Sequence, residues 1–84
     1  MTYAERALCL ALGRKLAKAR AAKGLTQRQV ATKVGWTSVQ YVSNIERGIC
    51  VFPKKRTTAY ASIVGVTPAM ITKTIKAVHV ARIG

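Results

Sequence analysis

The sequence predicts an all-α fold, a compact set of five short helices in one domain spanning residues 1–84, on three observations. At 84 residues the chain makes one small domain with a modest core. Half of its residues are hydrophobic, but thirteen of these are alanine and aromatic residues make up only 6%, so the core must be built from small, closely packed side chains. That composition suits helices better than a β-sandwich. Finally, glycines at 24, 35, 48 and 65 separate stretches that each carry helical periodicity.

The first helix is predicted from about Thr2 to Lys23, free of proline, with Leu8, Leu12, Leu16 and Ala19 at helical spacing and Gly24 as its stop. Thr26 and Gln29 match a capping box, Leu25 can staple onto Val30, and Val30, Ala31 and Val34 form the apolar stripe of a second helix ending at Gly35. Thr37 and Gln40 repeat the capping signature with Trp36 and Tyr41 as staple partners, opening a third helix that runs to Arg47 and stops at Gly48. Ile49 to Pro53 is a loop. A fourth helix is expected from about Lys54 to Val64, turning Tyr60, Ala61 and Val64 inward. Val66, Thr67 and Pro68 supply a staple, an N-cap and a first-turn proline for a fifth helix carrying Ile71, Ile75 and Val78. The closing Val78 to Ile83 is β-branched and alternating, so an extended C-terminal arm stands beside a continued helix as its expected form.

Fifteen Lys and Arg against Glu5 and Glu46 give a net charge of +13, more than solubility requires. Self-repulsion on that scale calls for a polyanionic partner, nucleic acid before an anionic membrane. No apolar run approaches a membrane span, and Glu5 and Arg6 ahead of Ala7 to Leu12 make a poor signal peptide, so a cytoplasmic location is expected. Cys9 and Cys50 lack metal spacing and are expected as reduced thiols, and His79 as a surface residue.

Thr26 to Gly48 has the outline of a helix-turn-helix, two short capped helices around a tight turn. In the second of them, placed at about 38–47, Val42 and Ile45 point inward while Gln40, Ser43, Asn44 and Arg47 share the other side. Amide, hydroxyl and guanidinium groups in a row suit base edges and phosphates in a major groove. Gln40 also has a second reading, folding back to cap its own helix. Trp36 is either a core plug or a stacking surface, with the core favoured, and Arg14, Lys15 and Lys18 form a solvated face that adds to the long-range field.

The run LAKARAAKGLTQRQVATKVGW followed by VSNIERG resembles the Cro/C1-type (XRE) helix-turn-helix family of phage repressors and bacterial regulators, over about Leu12 to Ile71. Arg20, Gly24-Leu25-Thr26-Gln27, Ala31, Gly35 and Val42-Ser43-x-Ile45-Glu46-x-Gly48 carry it. One spacing departs from the family: ten residues separate Gly35 from Glu46, one more than in its commonest form. The resemblance implies a lambda-repressor-like domain in which Thr37, Ser38, Val39, Gln40, Ser43 and Asn44 are the candidate base-contacting residues. It implies that Gln27 binds a phosphate and braces the recognition helix, with Arg28, Arg47, Lys54, Lys55 and Arg56 as further phosphate contacts. It also implies a structural ion pair between Arg20 and Glu46.

Two carboxylates, one histidine and two separated cysteines offer no acid/base pair, no activated nucleophile and no metal cluster, so no enzyme activity, cofactor or metal is expected. The leading expectation is a homodimeric repressor on a palindromic double-stranded DNA operator, Cro-like and encoded by a phage or mobile element. It would have no membrane partner, no small-molecule ligand and no sensing or self-cleavage domain. An antitoxin-type interaction module with secondary DNA binding is the alternative. A cationic membrane-surface peptide is the third reading, opposed by the glycine turns and paired caps.

Overall fold

The computed structural model describes residues 1–83. They form α1 (Tyr3–Ala22), α2 (Gln27–Val34), α3 (Gln40–Glu46), a 3₁₀ turn (Lys54–Arg56), α4 (Thr57–Val64) and α5 (Pro68–Ile83), with no strand among them. α1 lies between α5 on one side and α3 on the other, while α2 packs on α3 and α4. Leu16, Val30, Val42, Tyr60, Val64 and Ile71 are the largest fully buried side chains, one or more from each α-helix. Aromatics fill what the small aliphatics leave. Phe52, from the loop after α3, meets Tyr60 edge to face with centroids 5.2 Å apart, and Trp36 stacks on Tyr41 at 4.6 Å while leaning on Tyr60 at 6.1 Å. Trp36 is thus both half-buried against the core and a stacking platform. The Tyr60 hydroxyl is buried without a hydrogen-bond partner, and burial pushes its pKa up.

Local capping chemistry starts α1 and α2. Thr26 Oγ1 accepts the Gln29 N–H at 3.0 Å and Gln29 Oε1 accepts the Thr26 N–H at 2.8 Å. Thr2 and Glu5 make the equivalent box at α1, a signal present in the sequence as T-x-x-E. α3 departs from the expected pattern. It begins at Gln40, two residues late, with Val39 at its N-cap and no side-chain cap; Thr37 and Gln40 make no capping box. Ser38 Oγ accepts the Gln40 N–H at 3.1 Å instead. The Trp36–Tyr41 stack bridges this wider turn, which runs from Gly35 to Val39.

The fourth helix is also shorter than expected. Lys54–Arg56 form a 3₁₀ turn, and α4 begins at Thr57, whose hydroxyl donates to the Lys54 carbonyl at 2.8 Å. Three consecutive cations at a helix N-terminus oppose its dipole, which favours delaying the α-helix past them.

The extended-arm expectation for Val78 to Ile83 is overturned: α5 stays helical through Ile83. Val78 is buried, and one turn later Arg82 Nε donates to Glu5 Oε2 at 2.7 Å, so the helical spacing of Ile71, Ile75, Val78 and Arg82 prevails over the alternation of valines. The Arg82 hydrogen bond, helped by Thr2 and opposed by burial, holds the Glu5 carboxyl below its ordinary value of 4.5. A depressed carboxyl stabilises the fold fully above the unfolded value and loses that contribution as pH falls through the folded one. Thermal melts taken downward from neutral pH should therefore lose stability below the ordinary carboxylate value, and Glu5→Gln should flatten that acid limb. A variant with an unchanged limb would place the acid sensitivity elsewhere.

Candidate nucleic-acid interface

Val42 and Ile45 fix α3 in the core, leaving Gln40, Asn44 and Arg47 on its outer side at i, i+4 and i+7. These three are joined: Gln40 Nε2 donates to Asn44 Oδ1 at 2.9 Å, and Arg47 Nη2 donates to the same oxygen at 3.0 Å. Gln40 therefore does not fold back as a cap. The ladder pre-orders two amides and a guanidinium along one exposed edge, groups that can pair with base edges or phosphates. Ser43 is half-buried beside them. Thr37 and Ser38 are exposed but lie in the turn, and Val39 is half-buried at the N-cap, so the three sit ahead of the helix and not on it.

Behind α3, Glu46 is the hub. Arg20 grips it with two guanidinium nitrogens, Nε to Oε2 at 2.7 Å and Nη2 to Oε1 at 3.1 Å, while its third nitrogen donates to the Leu25 carbonyl at 2.7 Å. Gln27 Nε2 donates to Glu46 Oε1 at 2.9 Å, tying the first turn of α2 to the last turn of α3. Close backbone packing completes the mount. A Cβ at Gly13 would sit 2.6 Å from the Glu46 carbonyl oxygen, so glycine lets α1 touch the end of α3 directly. The glycine spacing in the sequence does not distinguish this buried position from the turn glycines.

Arg28 is exposed on the first turn of α2. Lys54, Lys55 and Arg56 are exposed on the 3₁₀ turn, but Lys54 lines a groove with Thr72, Lys76 and His79 of α5 and so stands on the α5 side. Cys9 and Cys50 are free thiols lining one small cavity, and burial pushes both of their pKa values up, which keeps them protonated. No group of three or more metal-ligating side chains, and no helix long and apolar enough to cross a membrane, occurs among the described residues.

A family model described as a helix-turn-helix domain matches residues 11–72, taking in α1 from Ala11 through the start of α5. The chain belongs to the helix-turn-helix domain family, in its XRE type. Among solved structures this helix-turn-helix chain is similar to the clp gene regulator ClgR from C. glutamicum, at 29% identity and a TM-score of 0.67, over 82% of this chain and 88% of that one. No curated protein matches it. The coarse function that goes with this fold is DNA-binding regulation of transcription.

Proposed function

We propose that this helix-turn-helix protein is a sequence-specific repressor that binds a palindromic double-stranded DNA operator as a homodimer and reads it with α3. The observation that carries the reading is the exposed Gln40–Asn44–Arg47 ladder on a helix whose opposite side is locked in the core. Likeness to a gene regulator supports the regulatory role. Gln40 keeps its Oε1 and one amide hydrogen for an adenine edge, Asn44 keeps its Nδ2 donor while its Oδ1 holds the ladder, Ser43 adds a hydroxyl, and Thr37, Ser38 and Val39 meet the groove from the turn. Gln27, Arg28, Arg47, Lys54, Lys55 and Arg56 hold phosphates, which positions the helix without reading sequence. Exposed Val80 and Ile83 at the end of α5 give a second protomer an apolar contact, and the two reading helices would then address half-sites about 34 Å apart.

Selection from a random duplex pool, followed by titration of the selected site, tests this. Gln40→Ala or Asn44→Ala should cost about 1 to 3 kcal/mol on the selected site and much less on random DNA, with the salt slope unchanged. Lys55→Ala or Arg56→Ala should weaken every sequence alike and lower the salt slope by about 0.9 per lost contact. If the Gln40 and Asn44 variants keep full site preference, α3 is not the reader. Equal affinity for a half-site and a full palindrome would sink the dimer.

A further inference from the structure

Both acidic side chains are consumed inside the fold, Glu46 by Arg20 and Glu5 by Arg82, each at 2.7 Å. The net charge of +13 thus resides, among the described residues, on Lys and Arg side chains with no acidic partner, and every one of them is exposed. The interface proposed above uses only Arg28, Arg47 and the three cations of the 3₁₀ turn. Four others, Arg14, Lys15 and Lys18 of α1 with Lys73 of α5, are exposed elsewhere, whereas Lys76 shares the groove of Lys54. Lys15 and Lys73 line one groove between the two helices, with Leu8, Ala11 and Met70 at its base.

This flank looks away from α3. Gly13 is the point where α1 touches α3, and Lys15 lies about 200° further round the helix at 100° per residue. Its α1 cations are helix neighbours: Arg14 and Lys18 at i, i+4, and Lys15 and Lys18 at i, i+3. Like charges so placed weaken their own helix, a cost that nothing within the fold offsets. The groove between Lys15 and Lys73 is lined by Leu8, Ala11, Leu12, Met70, Thr74 and Ala77, without the aromatics that stack single-stranded bases. A smooth cationic surface of that kind fits the regular phosphate backbone of a duplex.

We propose that the α1–α5 flank is a second, sequence-independent contact surface for double-stranded DNA, so that the protein bound to one duplex through α3 holds a second duplex, or a distant segment of the same one. The inference rests on α3 facing the first duplex. The test immobilises one operator duplex, saturates it with the full-length protein, and measures capture of a second, labelled random duplex from solution. Wild type should capture it, with steep salt dependence. Lys15→Gln/Lys18→Gln/Lys73→Gln should reduce capture roughly tenfold or more, because three phosphate contacts and their counterion release are lost. Occupancy of the first duplex should stay high and the melting temperature should stay near that of wild type. The charge-preserving Lys15→Arg/Lys18→Arg/Lys73→Arg should restore capture, which separates charge from folding. Wild type that occupies the first duplex but never captures a second overturns this inference alone. No occupancy of the first overturns the operator reading. Capture that survives the glutamine variant and vanishes only on neutralising Arg47, Lys55 and Arg56 assigns bridging to the two reading helices of a dimer, and overturns the second surface.

Discussion

Glu46→Gln is expected to lower stability by about 3 kcal/mol, the largest single-charge effect in the molecule. The Glu46 side chain is 7% exposed and Arg20 19%, so removing the carboxylate strands a guanidinium in a largely dry site. Arg20 is partly wet, which places the effect at the lower end of the range for a broken buried pair. For a domain of this size, each kcal/mol shifts the melting temperature by about 4–8 °C, so a drop of about 10 °C or more should be seen. A melt within a degree or two of wild type would sink the assignment. Replacing both partners should be milder than removing one. Arg20→Met/Glu46→Leu fills the space with apolar atoms and leaves no charge stranded, so it should recover much of the loss. Its cost falls on function, because Gln27 then loses its acceptor and the end of α3 loses its tie to α2.

How far the sequence reveals this structure depends on how local each cause is. The α2 cap was legible because Thr26 and Gln29 settle it between themselves, three residues apart. The outward row of α3 was legible for the same reason: Gln40, Asn44 and Arg47 are set by helical spacing once Val42 and Ile45 are assigned inward. Distance in the chain hid the rest. Residues 78–83 meet partners far off in the chain, Val78 buried in the fold and Arg82 on Glu5, 77 residues away. The T-x-x-Q pattern at Thr37 is as good locally as the one at Thr26, yet the Trp36–Tyr41 stack holds a wider turn and moves the start of α3. The place of Lys54 beside α5 was hidden as well. The loop that carries it turns on Phe52, buried against Tyr60, and delivers it beside α5.

Gly48→Ala should be strongly damaging, for two separable reasons. Gly48 follows α3 with φ of +68°, where a side chain costs about 1–2 kcal/mol. A Cβ there would also lie 2.5 Å from both the Leu10 backbone nitrogen and the Leu10 Cα. Those atoms belong to α1 and cannot move without shifting the helix, so overpacking adds about 1–3 kcal/mol. Gly24 supplies the control. Its φ of +71° is nearly the same, but nothing lies within 4 Å of its added Cβ. Gly24→Ala should therefore report the backbone cost alone, and the difference between the two variants measures how tightly α1 presses on the end of α3. Chemical denaturation of both gives that difference directly, and equal losses would mean the contact yields without cost. Because the same movement separates Arg20 from Glu46 and tilts the Gln40–Asn44–Arg47 edge, Gly48→Ala should also weaken binding to the selected operator. Gly24→Ala should leave binding intact at temperatures where it is folded.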